Sequence, residues 1–444
     1  MISRFTLYTA LVHCLSLLIT LRLSILLLAC VILGGTSQYI YTYKVPLYLI
    51  ALGFIGLILS SRNRHPLSKL LILPNLLIAG FIGLFVIYSI PINPVIWSSL
   101  SGRAFSVEVF NLLGQPLPWL PVSLNPEITF LSLLDFLPII AILLITHLSK
   151  NDNELIWGVY SFLFIVFVSV LLGMVQLINS EVFSLYEIYN VGRPVGFFSN
   201  TNHFACLCAM AIPIAYKIMF DRSSSSRSSF MSMKKWFFGG IFIIAFSMGC
   251  ILSGSGAGYV MLLIGFTFSP MILLKDNKHI TKLALFLIFS LVILVSDFVF
   301  FSGEFSQIMS KFSSNTSRNQ IYNTVLSFRK DYGVFGIGPG AFIDVYKVHE
   351  ARFAISNLYV NQVHNDYLQL WLEFGVLGLL TIMIGLLAFI FLGYKHISQN
   401  WRLASIYLLS VFMPILQSGV DYPFRTIAIS AAFVFILSVM FRKI

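Results

Sequence analysis

The chain has 444 residues, 58% of them hydrophobic and 10% charged, with 28 Lys and Arg against 17 Asp and Glu for a net charge of +11. Water-soluble domains carry about 25% charged residues, so a soluble enzyme or binding module is excluded as the main body. The basic excess fits the cationic bias of cytoplasmic loops in a membrane protein rather than a nucleic-acid-binding surface.

Apolar runs recur along the chain, each near the about 20 residues that cross a bilayer as a helix. Twelve spans are expected, at about 11–33, 44–60, 71–90, 128–148, 155–178, 202–220, 236–253, 257–274, 283–302, 372–394, 403–419 and 426–441. A span in lipid must satisfy its own backbone, so the expected fold is all-α, a polytopic membrane protein forming one transmembrane domain over 1–444. The first run is too long, and too closely followed by others, to read as a cleaved signal peptide. Arg22 interrupts it.

Charge sets the expected orientation. Arg62, Arg64, Lys69, Arg222, Arg227, Lys234, Lys235, Lys275, Lys278, Lys282, Lys395, Arg402, Arg442 and Lys443 all fall on one side of the twelve-span arrangement. The other side holds Lys44, Arg103, Arg193 and Arg425 in its short loops. Both termini are therefore expected in the cytoplasm, with 91–127, 179–201 and 303–371 outside. The last is the longest, and long outer loops are where a membrane enzyme keeps its chemistry. Ser223–Ser229 reads as a flexible cytoplasmic loop. Cys14, Cys30, Cys206, Cys208 and Cys250 sit in expected spans without metal-binding spacing, and read as small packing residues.

The outer segments carry the titratable groups. Gly192-Arg193-Pro194 leads into VGFFSNTNHFACL, where Asn200, Asn202 and His203 gather at a helix start. Helix capping explains asparagines there. A guanidinium at a membrane edge with no nearby acid in sequence instead suggests a lipid-linked phosphate. In the longest loop Ser317–Arg329 reads as an amphipathic helix, with Ile321, Val325 and Phe328 on one side and Arg318 near its start. Gly336–Gly340, GIGPG, reads as a turn and not a dinucleotide fingerprint, and Ser253-Gly254-Ser255-Gly256 as a tight turn and not a phosphate-binding loop.

His364 stands just before an apolar helix, with Leu368, Trp371, Leu372 and Gly375 following at spacings of three or four on one expected face. A lone histidine at a membrane boundary is more often an incidental anchor than a catalyst. The final outer turn holds Asp421 and Arg425, for which a local salt bridge is the plain reading.

These blocks together resemble the O-antigen ligase and O-antigen polymerase family of bacterial membrane glycosyltransferases. The resemblance rests on GRPVGFFSNTNHFA, the turn at 253–256, GIGPGAF followed by HNDYLQLWLEFGVLGLL, and SGVDYPFRT, in that order over about 180–430. The segment GQPLPWLPVSLNPEITFLSLLDFLP is similar to the exopolysaccharide-polymerase branch. Relatives commonly carry an arginine after the serine of the 253 turn, and this chain has Gly254 there.

The resemblance implies a GT-C-like fold with a helical periplasmic loop in the bacterial inner membrane. It implies metal-independent, inverting transfer of glycan from undecaprenyl diphosphate to a glycan or lipid-linked acceptor, without a cofactor. His364 would be the catalytic base, and Arg193 and Arg318 would hold the diphosphate. Asn202, His203, Asp421 and Arg425 are supporting candidates. A general base must be neutral, so His364 is expected beside the arginines and away from acids that would hold it protonated. A chain-length regulator is an implied partner. The alternatives are ligation to lipid A-core or to protein, a transporter or flippase, and a non-catalytic assembly subunit. Against a transporter stands the absence of repeated halves in the sequence.

Overall fold

The computed structural model describes residues 20–38, 41–60, 72–149, 151–179, 185–220, 229–273, 317–350 and 360–443. The expected span at 283–302 and most of the serine-rich loop from Ser223 lie outside them. Fifteen helices matter for the site. They are α1 Thr20–Leu33, α2 Val45–Ser60, α3 Leu73–Ser89, α4 Pro94–Ser98, α5 Ala104–Leu112, α6 Pro126–Leu148, α7 Asp152–Ile178, α8 Thr201–Phe220, α9 Ser229–Leu252, α10 Gly256–Leu273, α11 Ser317–Arg329, α12 Phe342–His349, α13 Asp366–Phe374, α14 Val376–Gln417 and α15 Ile427–Lys443. Among the described residues there is no β-strand, only an isolated bridge between Ile92 and Leu120. Six of these helices are long and apolar enough to cross a membrane, and α1, α2, α3 and α15 are shorter apolar helices. The protein is an all-α polytopic membrane protein.

Helix α8 lies at the centre, packed by α7, α9, α10 and α14, and is buried along nearly its whole length. Its sequence, rich in Ala and Cys, permits this. Association between helices in lipid depends on close packing, which small residues allow. A Cβ added at Gly249 of α9 would meet Cys208 Sγ at 2.7 Å, and one at Gly258 of α10 would meet Ala205 Cβ at 2.8 Å. The described cysteines, Cys30, Cys206, Cys208 and Cys250, are free and buried, as expected of packing residues.

Charges inside the bundle are paired, as intramembrane charges must be. Arg22, which interrupts the first apolar run, reaches Glu154 of α7 at 2.7 Å. Lys44, expected as a loop cation, is instead buried and reaches Asp135 at 3.1 Å, with the Tyr48 hydroxyl donating to the same carboxylate at 2.5 Å.

Two boundaries differ from expectation. The span expected at 372–394 begins at Val376, because the chain ends α13 at Gly375 with φ +59°. A Cβ there would fall 1.8 Å from the Val334 carbonyl oxygen, so only glycine fits. The helical run α14 then continues to Gln417 and breaks at Asn400 (φ −148°, ψ 84°), whose Oδ1 accepts from the Leu403 amide at 3.3 Å. The expected pair of spans is thus two helical segments meeting at a capped kink.

One end of the bundle carries a smaller second core. Ile321, Val325 and Phe328 of α11 pack with Ile337, Phe342, Tyr346, Val363 and Leu372. The amphipathic reading of Ser317–Arg329 holds, with the expected face buried. Phe85 and Tyr88 of α3 meet Phe374 and join this cap to the bundle.

Candidate functional site

The site is built around the short helix α13. Its last carbonyls lack intrahelical partners, as at any helix end, apart from Trp371 O, which accepts the Gly375 N–H at 2.9 Å, and groups from other elements reach all four. Ile337 N–H donates to Leu372 O at 3.1 Å and Gly338 N–H to Glu373 O at 2.8 Å. The Tyr88 hydroxyl reaches Phe374 O at 3.2 Å, and Arg329 Nε donates to Trp371 O at 3.1 Å. The GIGPG run is therefore a strap across the end of α13. Its glycines at 336, 338 and 340 all have positive φ. A Cβ at Gly336 would meet Leu372 O at 2.3 Å, and one at Gly338 would meet Ser123 Oγ at 2.3 Å.

At the other end of α13, Asn365 is the N-cap, accepting from Leu368 N–H at 2.9 Å. His364 therefore lies outside the helix and not on its apolar face. It is the one described non-glycine residue with positive φ, at +60°. The Tyr322 hydroxyl donates to its carbonyl at 2.7 Å and fixes this conformation. A histidine in the left-handed region is uncommon and costs energy that the surroundings must supply, which marks the position as functionally interesting.

Asp421 is the hub of the site. His364 Nδ1 lies 3.5 Å from its Oδ1, and Arg318 Nη2 lies 3.6 Å from its Oδ2. His203 Nε2, from the first turn of α8, lies 3.8 Å from Oδ1. Asn202 Nδ2 donates to Oδ2 at 2.5 Å. Both histidines pack against Tyr422, with each imidazole 4.8 Å from its ring and steeply tilted to it. Asp421 is fully buried. Burial alone would raise its carboxyl, but the polar contacts from His203 and His364 outweigh that and hold it well below the usual carboxylate range. It is an anion shared by two imidazoles and a guanidinium.

This arrangement corrects two expectations. His364 does not sit beside arginines alone, because a buried carboxylate faces its Nδ1. Nor does Arg425 pair with Asp421. Its guanidinium turns to Glu373 at 2.9 Å and to Asp366 at 3.6 Å. Glu373 also accepts from Gln369 at 3.1 Å and from the Gly340 amide at 3.3 Å. Asp366 accepts from the Ser418 hydroxyl at 3.0 Å and the Phe424 amide at 3.3 Å, while its own N–H donates to Ser418 O and Asp421 O. Burial pushes the Asp366 carboxyl up to about 6, against the pull of Arg425. The buried ladder from Gln362 through Gln369 and Glu373 to Arg425 and Asp366 thus fixes the 418–425 turn that carries Asp421.

Of the two asparagines expected as caps, Asn200 does cap, accepting from the Asn202 amide at 2.8 Å. Asn202 instead serves Asp421. Arg193 is held at the neighbouring 253–256 turn, donating to Gly254 O at 3.2 Å, beside the Thr201 hydroxyl bonded to Ser253 O at 2.7 Å. Sequence reasoning missed Asp366, Glu373 and Tyr422. The first two were findable, since they stand seven residues apart on one face of α13 within an otherwise apolar run.

Beside the site runs an apolar cavity of about 440 Å³ between α3, α6, α14 and α15. Phe81, Leu386 and Phe389 are among its walls, and Lys44, Asp135, Asp366 and Arg425 line its polar part. Among the described residues, no group of three or more His, Cys, Asp or Glu is disposed to hold a metal ion.

Residues 241–383 match the family model described as O-antigen ligase. The chain carries an O-antigen ligase-family domain. The matched stretch contains Arg318, the GIGPG strap, His364 and α13, while Arg193, Asn202, His203, Asp421 and Arg425 fall outside it. No curated protein matches the chain. The match and the apolar helices together support a membrane protein of the O-antigen ligase type.

Proposed function

We propose that this O-antigen ligase-family protein is an inverting, metal-independent polymerase that transfers undecaprenyl-diphosphate-linked glycan on the periplasmic face of the inner membrane. The observation that carries the reading is the convergence of His364, Arg318 and Asp421 at one end of the bundle, next to an apolar groove. The acceptor hydroxyl oxygen attacks the anomeric carbon, the bond from that carbon to the diphosphate oxygen breaks, and undecaprenyl diphosphate leaves. The hydroxyl proton passes to Nε2 of His364. Asp421 faces Nδ1, so it holds the tautomer with Nε2 free and stabilises the imidazolium that forms, as a carboxylate does for a catalytic histidine elsewhere.

Arg193 and Arg318 bind the diphosphate in this scheme. Arg318 is about one-third exposed, which leaves its fork open to a ligand while Asp421 orients it. Replacing either arginine by Ala should lower turnover by about 10²–10³-fold, the scale for loss of one charge-stabilising donor. Lys should restore little, since it lacks the paired donors. The same assay in EDTA should keep full activity. Wild-type turnover in both Ala variants, or a strict requirement for a divalent cation, would end the assignment.

The groove suits an isoprenyl chain. Gly385 of α14 lines it, and a Cβ there meets nothing within 4 Å. Gly385→Trp should fill the groove without disturbing its neighbours. Displacing two buried CH₂ groups, at about 0.8 kcal/mol each, weakens binding about tenfold. KM for a full-length lipid donor should rise by that factor, while KM for a donor with a short isoprenyl chain stays the same. An equal change for both donors would remove the groove from the reaction.

The loop charge bias supports cytoplasmic termini and an outward-facing site. The resemblance of segment 114–138, which runs into α6, to exopolysaccharide polymerases favours polymerisation over ligation. Purified protein given a lipid-linked repeat unit should yield a ladder of oligomers. Single transfer to a lipid A-core acceptor, with no ladder, would reassign it as a ligase.

A further inference from the structure

His203 is fully buried in the first turn of α8, and neither of its ring nitrogens makes a hydrogen bond among the described residues. A buried polar side chain left this way is costly and calls for a reason. Its Nε2 points at Asp421 Oδ1, the same oxygen that faces His364 Nδ1. Two imidazoles, each packed against the Tyr422 ring, therefore address one carboxylate oxygen. Packing alone does not account for this choice, because an apolar ring would fill the space without stranding two nitrogens.

We propose that His203 is a positioning residue that acts through Asp421, dividing the carboxylate's negative charge with His364 and so setting the pH at which His364 becomes free to take a proton. The proposal rests on His364 being the base. Neutral His203 carries its proton on Nε2 and directs it at Asp421. The separation of 3.8 Å closes when substrate is bound, since catalytic hydrogen bonds are often long in the empty site. When His364 accepts the acceptor's proton it becomes a cation against Asp421, and His203 stays neutral. No further group changes protonation.

The sign of the effect follows. Asp421 is faced by His203 and Asn202 from α8, by Arg318 from α11 and by His364, with Asp366 at the start of α13 donating its N–H to the Asp421 carbonyl. His364 itself is faced by Asp421 and Tyr422, and by Tyr322 on its carbonyl. Removing the His203 N–H leaves Asp421 less compensated. His364 then keeps its proton to higher pH, and the acid limb of kcat moves up.

Three variants test this in purified protein with lipid-linked donor. His203→Gln carries an amide donor where Nε2 was, and should leave the limb in place. His203→Phe keeps ring volume, and His203→Asn presents its amide too short to reach. Both should lower kcat by about tenfold near the limb, leave KM unchanged and shift the limb upward. A second readout needs no turnover. The rate at which diethyl pyrocarbonate modifies His364, followed by mass spectrometry against pH, should shift upward in Phe and Asn and not in Gln. A limb and modification profile unmoved in Phe and Asn would overturn the proposal, even if activity fell. Activity lost in EDTA and restored by a divalent cation would overturn it too, because His364 would then not be the metal-free base on which the proposal rests. Full turnover in His364→Ala would instead remove the catalytic base itself, a separate failure.

Discussion

Replacing His364 with alanine should lower turnover of a lipid-linked glycan by about 10²–10⁴-fold, the usual range for loss of a general base. The protein should still fold and insert, because the side chain is partly exposed and its loss leaves Asp421 with Arg318, His203 and Asn202. The backbone adds a complication of its own. His364 holds φ +60°, a conformation that alanine adopts less readily. Asparagine tolerates that region far better and cannot accept a proton at neutral pH. His364→Asn therefore separates strain from chemistry. If His364 is the base, Asn and Ala should be equally inactive, and His364→Gln should be no better. If Asn restores turnover, the residue shapes the loop and another group takes the proton. Turnover in detergent, set beside thermal inactivation of each variant, decides between these outcomes.

Much of this fold is legible in the sequence because lipid imposes so strong a pattern. The described apolar runs became helices near their expected bounds, and the amphipathic face of α11 buried Ile321, Val325 and Phe328 as its periodicity required. The failures lie where local pattern gives way to contacts distant in sequence. Arg22 looked like a defect in a span until Glu154, 132 residues away, supplied its partner. Asp421 and Arg425 looked like partners because they are neighbours, yet each found its charges on other elements. The site is similar. His364, Arg318, His203, Asn202 and Asp421 all stood out as polar residues in outer segments, but spacing cannot say that four of them converge on the fifth. Only α8, α11, the loop before α13 and the turn after α14 brought together do that.

The Glu373–Arg425 pair offers a prediction of similar size on stability. Glu373 is fully buried, the Arg425 side chain is 16% exposed, and their separation is 2.9 Å. Such a pair contributes little relative to an apolar replacement, but removing one partner strands the other charge and costs about 3–5 kcal/mol. Glu373→Leu should therefore destabilise strongly, since it also removes one hydrogen bond of Gln369 and the partner of the Gly340 amide. Arg425→Met leaves Glu373 charged in a closed site and should do the same. The double variant Glu373→Leu with Arg425→Met should recover a large part of the loss. The half-life of thermal inactivation in detergent is the proper measure, because membrane proteins of this size seldom refold reversibly. Activity adds the functional half of the test. Arg425 touches Asp366 and Glu373 and not Asp421, so its part in catalysis is to hold the turn. The double variant should regain stability ahead of kcat, because Asp366 loses its guanidinium and the turn carrying Asp421 loosens. Full recovery of both would mean that the ladder only fills space. Single variants as stable as wild type would mean that water reaches this pair and that the turn is held by Ser418 and the backbone alone.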